Sequence, residues 1–173
     1  RVPGAEVHLI WKTRDAVTSD TGLSMLPTAT FDDCPPLDVI CVPGGPGVAD
    51  LMEDDVVLDF LRETAKSARY VTSVCTGSLV LAAAGLLKGK RATSHWMSRS
   101  LLSTLGATPI EERVVRDGNV MTGGGVTAGI DFALSIGVDY IALSFVQQPG
   151  DVVEARELIG DRAGIIAKIE KPS

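Results

Sequence analysis

The stretch that decides the fold is "RYVTSVCTGSLVLAAAGLL", residues 69–87. "YVTSV" (70–74) reads as a strand, and "GSLVLAAAGLL" (77–87) as a buried helix whose end Gly89 can cap. Between them, Cys75-Thr76-Gly77 sits where a strand turns into a helix, the layout of a nucleophile elbow. The turn lifts the Cys75 side chain above the sheet, and Gly77 permits close packing behind it. Unpaired N–H groups at the helix start favour a thiolate, and the Thr76 N–H would lie near an oxyanion on a bound substrate. Composition alone leaves the other reading equally open, since free cysteine is among the commonest buried residues.

Moving toward the N-terminus, "LDVICVPGG" (37–45) is apolar throughout, as a parallel strand covered on both faces would be. Its glycine loop leaves Gly44 and Gly45 with accessible N–H groups, the second half of an oxyanion hole or simply a tight βα turn. Cys41 lies inside that strand and reads as core, while Cys34 precedes Pro35-Pro36 in a loop with no visible partner. "EVHLIW" (6–11) is a further strand, and the turn-rich segment that follows it holds a short β excursion. His8 reads as structural.

Residues 54–68, "DDVVLDFLRETAKSA", place apolar side chains at helical spacing, with acids early and bases late. Beyond the elbow, "RATSH" is a short strand, "WMSRSLLSTLG" a helix, and "ERVVRDGNVMTGG" a hairpin turning at Asp117-Gly118-Asn119. His95, at the end of its strand, could serve Cys75 as base or orienting group, or be held in a network beside Trp96. "TAGIDFALSIG" (127–137) follows as a helix, then "DYIALSFV", "PGDVVEARELIG" and "AGIIAKIEK" as a βαβ unit. "TGGGVTAG" (122–129) lacks the Lys-Ser/Thr of a phosphate loop and the spacing of a dinucleotide fingerprint, so a turn lining the cysteine pocket is expected there and no cofactor. Strand–helix alternation predicts an α/β fold with a mostly parallel sheet and its site at the strand carboxyl ends.

The totals narrow the function classes. A chain of 173 residues fits a single α/β domain (1–173), with 45% hydrophobic and 22% charged residues. No apolar run approaches the roughly 20 residues of a membrane span. The net charge of −6 and scattered basic residues argue against nucleic acid as a partner. Three unevenly spaced cysteines fit a reducing cytoplasm, and two distant histidines argue against a zinc cluster. The opening "RVPGAEVHLIW" runs almost directly into a strand, as if the sequence were entered partway through a domain.

The text "PPLDVICVPGGPGVADLMED", "ARYVTSVCTGSLVLAAAGLLKGKRATSHW" and "ERVVRDGNVMTGGGVTAGIDFAL" resembles the ThiJ/PfpI superfamily, and within it the isonitrile hydratases. The resemblance covers residues 1–134. It implies a flavodoxin-like three-layer α/β/α fold, usually dimeric, that hydrates an isonitrile to an N-substituted formamide. It further implies Cys75 as nucleophile, Thr76 as its catalytic neighbour and Gly45 in the oxyanion loop. The family's first strand and the loop carrying its catalytic acid have no matching positions here. From about 135 to 173 the text "GVDYIALSFVQQPGDVVEARELIGDRAGIIAKIEKPS" instead resembles the pyruvate kinase barrel, with a crossover near Asp131–Ser135. There the resemblance makes Lys168 a phosphoryl-transfer position and Glu170 a metal position, both read as relics because the rest of that site is missing.

The expectation is therefore a recombinant chimera that keeps an incomplete cysteine site of low or no activity toward a small molecule. The alternatives are an active isonitrile hydratase-type cysteine enzyme, and residual metal or phosphate binding at Glu170 and Lys168. "GIIAKIEK" or "YIALSFV" is expected to fill the vacated central strand position, and a homodimer or strand-swapped oligomer could complete the sheet. In a further variant Glu170 substitutes for the absent acid.

Overall fold

The computed structural model describes residues 6–19, 22–125, 128, 140–146 and 164–169. The N-terminal part holds short strands: β1 (Ile10–Trp11) pairs in parallel with β4 (Ala29–Thr30), and β2 (Val17–Thr18) with β3 (Ser24–Met25) as a small hairpin. That hairpin is the β excursion expected after "EVHLIW", although only the last two residues of that segment are strand.

The main sheet has four strands: β5 (Val39–Val42), β6 (Tyr70–Val74), β9 (Val114–Asp117) and β10 (Val120–Gly123), in the order β5-β6-β10-β9. The first three in that order run parallel, and β9 turns back antiparallel through Gly118-Asn119, where the hairpin was expected. Val42 pairs with Ser73, and Ser73 with Thr122, so the carboxyl ends of three strands finish side by side. That alignment gathers the turns leaving three strands at one edge of the sheet.

Three helices follow the parallel strands on the described part of the chain: α1 (Val48–Met52) and α2 (Asp55–Ala65) after β5, and α3 (Gly77–Ala83) after β6. α2 begins where Asp54 accepts the Val56 and Val57 N–H groups at 3.2 and 3.3 Å, satisfying two donors that have no helical partner. It buries Val57, Leu58 and Leu61, the apolar stripe read from its sequence. α3 is buried from Gly77 through Ala82, which is why its sequence is apolar all round. These helices and the sheet enclose a core of Ile40, Val42, Val71, Val80, Leu81, Leu87, Leu102 and Val120.

Several expectations need correction. β5 alternates instead of being covered on both faces: Ile40 and Val42 are buried, whereas Val39 is 43% exposed and Cys41 is exposed. Cys41 is thus not a core residue; the pleat turns it to the opposite face from Ile40 and Val42. α3 ends earlier than expected, at Gly85 rather than Gly89. There a positive φ lets the Leu86 N–H reach back to the Leu81 carbonyl at 3.0 Å. The "WMSRSLLSTLG" helix is mostly turns and keeps only α4 (Leu101–Thr104). "RATSH" contributes only β7 (Arg91–Ala92), parallel to β8 (Thr108–Pro109).

The C-terminal strands β11 (Tyr140–Val146) and β12 (Gly164–Ile169) run parallel, as the βαβ reading requires. Among the described residues they form a two-stranded sheet of their own. Neither occupies a position in the four-stranded sheet, so among the described residues the expected filling of a central position by either strand is not found. The two strands have each other as ladder partners, and this satisfies their facing edges locally. The helices expected at 127–137 and 149–160, the crossover near Asp131–Ser135, and Glu170 lie outside the described residues.

Candidate functional site

Cys75 stands between β6 and α3 with φ +58°, the one positive φ at a non-glycine among the described residues. A side chain in the left-handed region costs about 1–3 kcal/mol and persists where its surroundings over-determine it. Here they do. The Cys75 N–H donates to the Gly123 carbonyl at 2.8 Å, tying the turn to the end of β10. Its carbonyl accepts from Ser78 Oγ at 3.3 Å and Ser94 Oγ at 3.2 Å. Both backbone groups are therefore held, and the thiol is left half-buried at the rim of the sheet.

The glycine loop meets the elbow directly. A Cβ on Gly77 would lie 2.1 Å from the Val42 carbonyl oxygen and 2.7 Å from that of Pro43. A Cβ on Gly44 would lie 2.7–2.8 Å from Thr76 Oγ1, Cys75 Cβ and the Thr76 nitrogen. Gly77 is required by close approach of backbone to backbone, and Gly44 by side-chain and backbone atoms of Cys75 and Thr76. The Gly45 N–H donates to Thr76 Oγ1 at 3.1 Å, so this donor fastens the loop to the elbow instead of facing open space.

On the other side of Cys75 lies a cavity of about 490 Å³. Its wall includes Cys75, Thr93, Ser94, His95 and Trp96, then Gly124, Gly125 and Ala128. The rim carries Arg99, Glu111, Glu112 and Arg113. Arg99 pairs with Glu111 at 2.7 Å, and Arg91 with Glu112 at 3.8 Å. The His95 and Trp96 rings lie 5.6 Å apart, tilted by 39°. Two buried hydroxyls flank the elbow without a hydrogen-bond partner, Ser73 Oγ and Thr93 Oγ1. The Thr93 N–H itself is used, donating to Thr122 Oγ1 at 2.8 Å.

Of the residues singled out in the sequence, Cys75 and His95 share this cavity with Gly124, Gly125 and Ala128 of the 122–129 segment. Gly44, Gly45 and Thr76 form a separate contact with the elbow and do not line the cavity. Lys168 lies on β12. Sequence reading missed Thr93, the arginine–glutamate rim and the Trp96 wall; the "SHW" text adjoining His95 was their one local signal. Among the described residues no cluster of histidine, cysteine and carboxylate side chains could hold a metal ion. No described helix is long and apolar enough to cross a membrane. His8 stands apart, 3.7 Å from Glu6.

The sequence pattern of the DJ-1/PfpI family matches residues 1–137. An isonitrile hydratase from Pseudomonas putida is 63% identical over 146 residues, covering 84% of this chain and 64% of that protein. The chain thus spans less than two thirds of that relative's length. A ThiJ/PfpI family protein from Pseudomonas syringae superposes with a TM-score of 0.74 at 52% identity, covering 77% of this chain and 56% of that one. This likeness makes the described sheet and helices a flavodoxin-like α/β arrangement with mostly parallel strands. A pyruvate kinase from Agrobacterium vitis is 66% identical over 44 residues, 25% of this chain and 9% of that enzyme.

Proposed function

Because the chain belongs to the DJ-1/PfpI family, we propose that Cys75 is the nucleophile of an isonitrile hydratase-type site, running at a low rate. The observation that carries this reading is the positive φ of Cys75, maintained by hydrogen bonds to both of its backbone groups. A buried packing cysteine has no need of a strained turn. The 63% identity to an isonitrile hydratase supports the reaction class.

The chemistry balances with water alone. The thiol adds across the isonitrile carbon, forming one C–S and one C–H bond and leaving a thioimidate with a C=N bond. Water then adds across C=N, oxygen to carbon and hydrogen to nitrogen. The C–S bond breaks with its electron pair on sulfur, and the hydroxyl proton returns to the thiol as the N-substituted formamide leaves. His95 on the same cavity wall is the proposed proton carrier. The Thr76 N–H and the Gly44 backbone, on the flank of Cys75 outside that cavity, are the proposed donors to an oxygen that turns toward the glycine loop, with Gly45 as the fastening between loop and elbow.

The remainder of the chain is read as a join of two families, 1–134 of isonitrile hydratase type and 135–173 of pyruvate kinase type. The 44-residue match and the separate β11–β12 sheet support that join. Formamide production from benzyl isonitrile tests the reaction. Slow turnover that disappears in Cys75→Ala is expected, whereas equal production by both chains would refute the nucleophile assignment.

A further inference from the structure

Trp96 lines the Cys75 cavity yet is 71% exposed, and Met97 beside it is 69% exposed. A large aromatic ring facing water at the mouth of a reactive cavity leaves apolar surface that a ligand can cover. The cavity also exceeds what the reaction centre needs. A carbon–nitrogen head of two heavy atoms fills a small part of about 490 Å³, since a water molecule takes roughly 30 Å³. The remaining space must hold the group attached to nitrogen.

The character of the wall says what that group is. Beside Cys75 and the polar Thr93, Ser94 and His95, the cavity is lined by Trp96, Gly124, Gly125 and Ala128, which offer one large aromatic surface and little other side-chain bulk. The charged rim holds two arginines and two glutamates, so it selects neither sign. Arg99 and Glu111 are in addition committed to each other at 2.7 Å. A charged substituent gains nothing there, while a flat or cyclic apolar one covers the indole.

We propose that Trp96 is the specificity-determining residue of this site, binding the uncharged apolar substituent of the substrate while its reactive carbon reaches Cys75. The proposal rests on the hydratase reading for the reaction, but not for the binding. Its kinetic test compares benzyl isonitrile with methyl isonitrile. Trp96→Ala is expected to raise KM about tenfold for benzyl isonitrile and to leave that for methyl isonitrile within about twofold, with Trp96→Phe restoring most of the loss. A general folding defect would move both substrates together, and equal changes in both overturn the proposal.

The second measurement needs no turnover. The chain has two tryptophans, Trp11 and Trp96, so in a Trp11→Phe, Cys75→Ala chain the indole emission reports Trp96 alone. Titration with N-benzylformamide is expected to shift that emission to the blue with saturation, and N-methylformamide is expected to leave it unchanged. A saturable shift without turnover in the parent chain overturns the hydratase reading and supports the Trp96 subsite. Absence of any saturable shift overturns the subsite whatever the turnover.

Discussion

Replacing Gly77 by alanine puts a methyl group where two backbone carbonyls already stand. The new Cβ would lie 2.1 Å from the Val42 oxygen and 2.7 Å from the Pro43 oxygen. Non-bonded carbon and oxygen do not approach much below 3 Å, so α3 must retreat from β5 by about 0.9 Å. Neither obstacle is a side chain that can swing aside, and overpacking of a rigid site costs about 1–3 kcal/mol. We take the upper end, about 3 kcal/mol, which for a chain of this size lowers Tm by about 6–12 °C. The same retreat pulls Thr76 from the glycine loop and loosens the 3.1 Å bond from the Gly45 N–H. Thermal unfolding measures the first effect. The alkylation rate of Cys75 by iodoacetamide, read by peptide mapping because Cys41 is also exposed, measures the second. Gly47→Ala is the control, since a methyl group there meets nothing within 4 Å. If Gly77→Ala unfolds at the same temperature as Gly47→Ala with unchanged Cys75 labelling, the close approach of loop and elbow does not exist in solution.

Two further outcomes follow from single residues. Thr93→Val swaps an unpartnered buried hydroxyl for a methyl group of similar size, and is expected to stabilise the chain by about 1 kcal/mol in urea unfolding; a loss of stability would mean that the hydroxyl has a partner. Asp33 accepts the Thr30 N–H at 2.6 Å, pairs with Arg14 and accepts the Thr30 hydroxyl, and these hold its carboxyl down from the usual 3.8 to about 2. A lowered carboxyl stabilises the fold above its unfolded value and loses that contribution as pH falls through the folded one. The stability difference between the parent and Asp33→Asn should therefore be present near neutral pH and vanish between pH 3.8 and about 2. A difference that stays constant across that window contradicts the assigned contacts.

Local patterns were legible in the sequence because their causes are local. The β-branched run of Tyr70–Val74, the turn at Cys75-Thr76-Gly77 and the Asp117-Gly118-Asn119 hairpin all stand where their residues put them. Burial of a strand face is not local. "VICV" reads as a doubly covered strand, yet Val39 and Cys41 lie exposed because coverage depends on what packs there from elsewhere in the chain. The end of α3 was misread for a smaller reason, since Gly85 and Gly89 both follow an apolar run and both adopt positive φ. Half of the site was equally hidden. Arg99, Glu111, Glu112 and Arg113 reach the Cys75 cavity from the turn before α4 and the approach to β9, with no spacing that marks them as a group. The separation of β11 and β12 from the main sheet overturned a reasonable expectation: a sheet edge invites a strand, but these two strands take each other as ladder partners.

The central claim is that the strained turn makes Cys75, and not the more exposed Cys41, the thiol that attacks an isonitrile. Capture of the thioimidate tests it most directly: the chain is mixed with benzyl isonitrile, quenched early in acid, digested and mapped by mass spectrometry. The account predicts one benzyl isonitrile added to the peptide carrying Cys75, absent from Cys75→Ala and unaffected by Cys41→Ser. An adduct on Cys41 with Cys75 unmodified would contradict it.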